Sequence, residues 1–359
     1  MKHGAPGIQR WVENRFDTIG VRSPVTHNIV LIPGDGIGPE VAEAAQKILD
    51  ATGVKIDWDR VECSEKIIRE TGESIPTPVV KALERHKLAL KGPVTTPIAG
   101  GFQSVNVALR KKFDLYSNVR PVKTMPNLHT RFDDLSLDMV IFRENTEDLY
   151  SGIEHEVVND VVTSLKVITR RASIRIAKAA FIYARQFNRK KVTSVHKANI
   201  MKLADGLFLR CCREVAAEYP EVKYNELIVD NAAMQLVTKP EQFDVLLMPN
   251  LYGDIMSDLA AGLVGGLGMV PGGNIGDDHA VFEAVHGSAP DIAGRGIANP
   301  TAILLSSVMM LRHMLEIPAA DRLQTAIEAV YKEAKHLTGD VGGSATTMQF
   351  ADAVIAKLG

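Results

Sequence analysis

Asp254 and Asp258 stand four residues apart in NLYGDIMSDLAAG, a spacing that puts two carboxylates on one face of a helix beginning just past an apolar strand. Two anions one turn apart repel each other. A hard divalent cation, Mg2+ or Mn2+, relieves that repulsion, because it takes carboxylate oxygens together with substrate oxygens and keeps coordination positions open. The same spacing also suits a helix whose Asp254 caps the first turn and whose Asp258 faces water, and the pair alone leaves both readings open. Asp230, closing the run ELIVD, is a third carboxylate at an expected strand end. Arg110, Arg120 and Arg143 lie at or near the ends of apolar segments in SVNVALRKKF, LYSNVRP and MVIFREN. Three guanidinium forks can hold a substrate bearing several carboxylates, while each taken singly also reads as the ion-pair partner of a structural acid. Lys197 ends KVTSVHK where a helix is expected to begin, a place whose dipole, like any nearby metal, disfavours its charge and equips it to carry a proton. Tyr150, in RENTEDLYSG, can donate a phenolic proton.

A different chemistry is suggested by residues 32–40, IPGDGIGPE, a glycine-rich turn between a strand and a helix with Asp57 and Asp59 about 20 residues on. A dinucleotide fingerprint requires GxGxxG, with the helix N-terminus open to pyrophosphate. Gly34, Gly36 and Gly38 give GxGxG instead, and Pro39 removes one amide donor. A turn shaped by its glycines is the competing account.

These residues need a scaffold, and the chain has the material for one. It has 359 residues, 46% of them hydrophobic, with 41 Lys and Arg against 43 Asp and Glu for a net charge of −2. A chain of this length buries a sizeable core and is expected to divide into two domains. Near-neutrality excludes the basic footprint that nucleic acid or an anionic membrane surface requires. Cys63, Cys211 and Cys212 form no CxxC, which argues against a disulfide scaffold or a zinc ribbon. Neither long uncharged stretch, 259–275 or 296–311, offers the ~20 apolar residues of a membrane span. Residues 1–23 lack an apolar core and carry Glu13 and Asp17, so the terminus reads as cytoplasmic, or equally as a processed mitochondrial matrix form. Apolar runs alternate with amphipathic segments: HNIVLI before PEVAEAAQKILDATG, then DMVIF, KVTSV and DVLLM, an α/β rhythm. The clearest helix has Pro39 at its start, a stripe of Val41, Ala44, Ala45, Ile48 and Leu49, and Gly53 at its end. A second is expected after Asn299 and Pro300.

IPGDGIGPE, KGPVTTP, SVNVALRKKFDLYSNVRP, RENTEDLYSG, HKANIMK, NLYGDIMSDLAAG and HGSAPDIAGRGIANP occur in an order that resembles the isocitrate and isopropylmalate dehydrogenases, the metal-dependent β-decarboxylating dehydrogenases. The resemblance runs from about residue 27 to the C-terminus. It implies an α/β fold that is not Rossmann, with a large domain from residues 1–115 and 266–359 and a small one from 116–265. It also implies a homodimer clasped near 151–168, with the active site shared between subunits. Ser104, Asn106, Arg110, Arg120 and Arg143 would then bind the carboxylates of a tricarboxylate substrate. Asp254 and Asp258, with the partner's Asp230, would hold Mg2+ or Mn2+. Lys197 would accept the hydroxyl proton and Tyr150 would donate a proton in the enol step. Oxidation gives a β-keto acid, here oxalosuccinate, whose polarised carbonyl is an electron sink for loss of CO2.

For the cofactor, the resemblance makes HGSAPDIAG the adenosine loop. An acid at Asp291 accepts hydrogen bonds from the ribose hydroxyls of NAD and repels the 2′-phosphate of NADP. NADP-dependent bacterial members carry Lys-Tyr where this chain has Asp291 and Ile292. Thr96, Glu283, His286, Gly287 and Asn299 are expected around the same cofactor. The substrate loop has polar Ser104 and Asn106 where isopropylmalate enzymes place leucines, which favours isocitrate. Homoisocitrate is the near rival, since one methylene changes binding by only ~1–3 kcal/mol. Isopropylmalate is a further one, and a regulatory paralogue without catalysis a remote one. The charge of −2 then averages an arginine cluster for the substrate against an aspartate cluster for the metal, expected to stand apart.

Overall fold

The computed structural model describes residues 25–95 and 104–359. Its strands are β1 (His27–Ile32), β2 (Ile56–Arg60), β3 (Leu88–Lys91), β4 (Ser117–Lys123), β5 (Asp138–Glu144), β6 (Glu154–Val158), β7 (Val161–Ser164), β8 (Lys191–His196), β9 (Lys223–Ile228), β10 (Val245–Met248), β11 (Pro271–Ile275) and β12 (Ala280–Ala284). The helices are α1 (Gly38–Ala51), α2 (Glu65–Thr71), α3 (Thr77–His86), α4 (Val105–Lys112), α5 (Arg170–Gln186), α6 (Ala204–Ala216), α7 (Val229–Thr238), α8 (Asn250–Leu263), α9 (Thr301–His313), α10 (Ile317–Glu333) and α11 (Thr347–Ile355).

Ten strands make one mixed sheet in the order β2-β1-β3-β12-β11-β4-β5-β10-β8-β9. Pairing is parallel from β2 to β12, antiparallel from β12 through β11 and β4 to β5, and parallel again from β5 to β9. The five strands at one end come from residues 27–91 and 271–284, and the five at the other from 117–248, joined where Asn274 of β11 pairs with Asn118 of β4. The central antiparallel strands separate this sheet from the all-parallel Rossmann order. β6 and β7 form a separate two-stranded hairpin.

The expected first helix is α1, with Pro39 in its first turn and Val41, Ala44, Ala45, Ile48 and Leu49 all buried. Gly53 follows with φ +81°, the left-handed conformation that glycine takes without strain. The second expected helix is α9, every residue of which from Thr301 to Leu311 is buried, as befits a helix apolar on all sides. Asn299 Oδ1 accepts from Thr301 N at 3.0 Å and Thr301 Oγ1 at 2.6 Å, so the asparagine does cap it from just outside.

The GxGxG turn is a packing device, and the dinucleotide reading falls. A Cβ on Gly34 would sit 2.0 Å from the Pro93 carbonyl oxygen, and one on Gly36 1.9 Å from that of Ser288. The amides of Asp35 and Ile37 donate to those same oxygens, at 2.7 and 2.9 Å, leaving no cradle for phosphate. The turn serves instead as an anchor for the loop that follows β12.

Candidate active site

The arginines and aspartates do not stand apart. α8 packs against β4 and β5 in the middle of the sheet, and its Asp254 and Asp258 meet Arg143 and Arg120 of those strands. Arg143 of β5 is 1% exposed and donates to Asp254 Oδ1, while its Nε and Nη2 hold Asn250 Oδ1 at 2.9 and 2.7 Å. Tyr150 Oη donates to the other oxygen of Asp254, and the Arg143 guanidinium lies 5.1 Å from the Tyr150 ring centroid. Arg120 of β4 donates to Ser257 Oγ and to Asp258 Oδ1 (3.2 Å), with Asp254 3.9 Å away. The capping reading of Asp254 is thereby excluded: Asp254 is the fifth residue of α8, past its first turn, and its carboxylate binds side chains, not helix amides. This interlock also corrects the expectation of separate clusters, because the carboxylates are the buried arginines' counter-charges.

Gly253 makes this contact sterically feasible. A Cβ there would lie 2.4 Å from Cγ and 2.5 Å from Cβ of Arg143, so only a residue without a side chain lets the arginine stem cross α8. Burial alone would raise Asp254, but Arg143, the Tyr150 hydroxyl, Arg120 and Arg110 outweigh it and hold the carboxyl below its ordinary value. Asp258 moves the other way: burial raises it, Arg120 opposes, and Asp254 adds to the rise. Burial and the bond to Asp254 raise Tyr150, keeping its proton on at neutral pH.

Beside these lies a cavity of about 170 Å3 lined by Asn106, Arg110, Arg120, Glu283 and His286, among others. Arg110 reaches it from α4 rather than from a strand end, and is buried. Burial and the neighbouring Arg143 lower it to about 10. Ser104 is the residue before α4 and spends no side-chain bond on capping it, and Asn106 Oδ1 is buried without a partner. Among the described residues neither atom has a hydrogen-bond partner, and Thr96 lies outside those residues. Glu283 of β12 binds Lys91 of β3 at 2.7 Å; burial would raise its pKa, but Lys91 and Arg110 bring it down to about 2. Lys91 is 1% exposed, a buried strand-end cation that the pattern LALK could have flagged.

The 286–296 loop is fastened to the glycine turn: Ile37 N donates to Ser288 O (2.9 Å), Thr95 Oγ1 to Ser288 Oγ (2.7 Å) and Gly296 N to Glu40 Oε2 (2.8 Å). His286 Nδ1 lies 3.0 Å from Gly287 O, and burial lowers the imidazole. Asp291 is exposed at the loop surface with Ile292 half-buried beneath it. Asn299 is otherwise committed: its amide donates to Asp340 Oδ2 (3.0 Å) and Tyr331 Oη (3.3 Å), so its side chain braces the fold and leaves only backbone for a cofactor.

Lys197 and Asp230 are paired with each other, Nζ to Oδ1, and no hydrogen bond or ion pair joins either to Asp254, Asp258 or Tyr150. Two local expectations are corrected. Lys197 opens a turn of seven residues before α6 begins at Ala204, not a helix N-terminus, because its amide is held at 2.6 Å by Asp205 Oδ2, a buried carboxylate further along. Asp230 lies in the first turn of α7, not at a strand end. The bond to Lys197 lowers the Asp230 carboxyl. As donors for a hard cation, Asp254 and Asp258 have the right chemistry, but among the described residues no three His, Cys, Asp or Glu side chains come together.

Glu147, ahead of Tyr150, steadies this segment: Oε1 accepts from Thr169 N at 2.8 Å and its carbonyl from Asn250 Nδ2 at 3.1 Å. Burial lifts its carboxyl to about 7, against the pull of the Thr169 bonds. A folded pKa above the unfolded one means that the stability contribution is full below the unfolded value and is lost as pH rises through 7, up to ~3 kcal/mol. Glu147→Gln should therefore flatten the fall in urea midpoint between pH 5 and pH 8; an unchanged slope would exclude this residue as its source.

The profile of the Isocitrate/isopropylmalate dehydrogenase family matches residues 28–354. The chain is 52% identical over 337 residues to the mitochondrial isocitrate dehydrogenase [NAD] catalytic subunit 5 of Arabidopsis thaliana, spanning 94% of this chain and 89% of that one. It is 54% identical over 298 residues to the chloroplastic 3-isopropylmalate dehydrogenase of Solanum tuberosum, spanning 83% of each. The crystal structure of isocitrate dehydrogenase from Methylococcus capsulatus superposes with a TM-score of 0.88 at 47% identity, covering 92% of this chain and 99% of that one.

Proposed function

The chain belongs to the isocitrate/isopropylmalate dehydrogenase family, and from that premise we propose that it oxidises isocitrate with NAD and decarboxylates the product to 2-oxoglutarate and CO2. The observation that carries this reading is the cavity lined by Arg110, Arg120 and Asn106: its α4 wall is polar and cationic, the guanidinium groups suiting it to a third carboxylate and not to an isopropyl group. The names of the Arabidopsis and Methylococcus relatives support it. The potato relative at 54% identity favours 3-isopropylmalate as the second reading, with homoisocitrate beside it. A regulatory paralogue without catalysis would lack proton-transfer or acidic residues, and Tyr150, Lys197, Asp230, Asp254 and Asp258 are all present.

In this reading Arg110, Arg120 and Arg143, with Ser104 and Asn106, orient the substrate carboxylates. Lys197 takes the hydroxyl proton, and its bond to Asp230 keeps the amine localised. Tyr150, held protonated against Asp254, delivers a proton to the enol carbon. Asp254 and Asp258, with the partner's Asp230, are the residues that would hold Mg2+ or Mn2+. When bound, the ion would supply charge stabilisation for the developing oxyanion and NAD the hydride acceptor. Asp291 would receive the ribose hydroxyls of NAD with Ile292 beside it, and by the family resemblance Glu283, His286 and Gly287 would line the cofactor's nicotinamide wall together with Thr96.

The hairpin of β6 and β7 leaves Val157, Val158, Val161 and Val162 roughly half or more exposed, and Ile200, Leu203, Met234 and Ile255 add further apolar surface. A two-stranded hairpin has no core of its own to cover such residues. This supports a homodimer clasped through 151–168, in which Lys197 and Asp230 serve the neighbouring site; the split of the sheet between strands from 27–91 with 271–284 and strands from 117–248 supports a division into domains 1–115 with 266–359 and 116–265. No helix among the described residues is long and apolar enough to cross a membrane. The mitochondrial designation of the Arabidopsis relative supports the matrix alternative of location over the cytoplasmic one.

Stoichiometric appearance of NADH, CO2 and 2-oxoglutarate from isocitrate tests the reaction, and NADH without CO2 would contradict it. Asp291→Lys combined with Ile292→Tyr should raise the NADP-to-NAD ratio of kcat/KM by roughly 10- to 100-fold, the effect of exchanging a repulsive for an attractive charge at the 2′-phosphate. An unchanged ratio would remove Asp291 from the cofactor site.

A further inference from the structure

We propose that Asn274 is a positioning residue that sets the orientation of Arg110 for the substrate, an inference that rests on the reading of Arg110 as a carboxylate ligand. Asn274 of β11 is in register with Asn118 of β4, and Asn118 with Arg143 of β5, so three adjacent strands present one polar row on one face. Asn274 is 2% exposed, and its Oδ1 accepts from Arg110 Nε at 3.1 Å, Asn118 Nδ2 at 2.8 Å and Asn145 Nδ2 at 3.0 Å. Arginine Nε only donates, so the atom it meets must be the amide oxygen, and the other two amides must turn their nitrogens toward it. The far end agrees: Asn274 Nδ2 donates to Glu283 Oε1 at 2.8 Å, and an ionised carboxylate only accepts. One arginine and one glutamate thus fix the orientation of the asparagine between them.

The consequence lies in how Glu283 is divided. Its Oε2 holds Lys91 at 2.7 Å, its Oε1 holds Asn274, and Arg110 Nη2 stays 3.6 Å from that same Oε1, beyond hydrogen-bonding distance. Held by Nε, Arg110 lines the cavity. Without Asn274, Arg110 can close onto Glu283 as an ordinary ion pair, which satisfies the arginine and withdraws it from the substrate. Asn274 therefore acts by holding this ion pair open, short of a direct hydrogen bond between its two members.

Calorimetric titration of the dimer with isocitrate and with 3-isopropylmalate, in MgCl2, tests this by double-mutant cycle. Asn274→Ala should weaken binding of whichever acid the wild type takes by about 10- to 100-fold, the worth of a charge-assisted hydrogen bond. In an Arg110→Lys background, which lacks Nε–H in that geometry, the same substitution should cost less than about twofold. Asn274→Asp keeps an acceptor for Arg110 Nε while giving up the amide bond to Glu283, so it should restore binding to within about fivefold; it also carries the test if the alanine variant fails to fold. An equal penalty in both backgrounds, or Asn274→Ala binding within twofold of wild type, overturns the positioning role alone. A wild type that binds neither acid overturns the functional reading and this inference with it.

Discussion

Lys197→Met is expected to lower kcat by about 10²- to 10⁴-fold, the range for loss of a general base, while the thermal midpoint stays where it was. The two effects separate because of where the structure puts the residue. Its backbone is secured by the bond from its amide to the buried Asp205, and its side chain contributes one bond to Asp230 on the surface, whose carboxylate water solvates once the amine is gone. KM for isocitrate should change far less than kcat, since the arginine cavity is untouched. Parallel steady-state kinetics and thermal melts check this, and a kcat within about threefold of wild type would remove Lys197 from the proton-transfer step.

Asp254→Asn is expected to be costlier, because it strikes activity and fold together. The carboxylate answers Arg143, which is 1% exposed, and receives the Tyr150 hydroxyl. Stripping the counter-charge from a buried guanidinium costs ~3–5 kcal/mol where both partners are buried; with 38% of the Asp254 side chain exposed, water returns part of it and about 1–3 kcal/mol remains. Activity should fall at least about 10³-fold, since in the proposed reaction the substitution removes a donor to the divalent ion and the partner that aligns Tyr150. Arg143→Lys should not reproduce the loss of stability in full, because one charge pair survives while the fork to Asn250 does not. The readouts are urea denaturation and kcat/KM. An Asp254→Asn variant as active as wild type would show that the Arg143 pair is purely architectural.

Local pattern revealed what is local. β1, β5, β8 and β10 sit on apolar runs, α1 on its stripe and proline, and Asp254 and Asp258 on one helix face, since each depends on residues within a few turns. The ion pairs between those aspartates and the arginines cross 111 and 138 residues of sequence, which no periodicity records. The helix expected at Lys197 failed because a side chain at position 205 captures its amide and holds the chain in a turn. Asn118 and Asn274 went unnoticed because asparagine in a run reads as a turn residue, and only the pairing of β11 with β4 makes one a partner of the other. Gly253 gave no signal, since its reason for being glycine is an arginine on another strand.

The central claim is that the polar α4 wall and the arginines behind it select a tricarboxylate and that Asp291 selects NAD. It is tested most directly by kcat/KM for isocitrate, homoisocitrate and 3-isopropylmalate, each with NAD and with NADP, in saturating Mg2+. Isocitrate with NAD should exceed every other combination by at least about tenfold, the discrimination that a buried polar site exerts against a ligand lacking its third carboxylate or carrying it one methylene too far. Preference for 3-isopropylmalate, or for NADP with isocitrate, would contradict it.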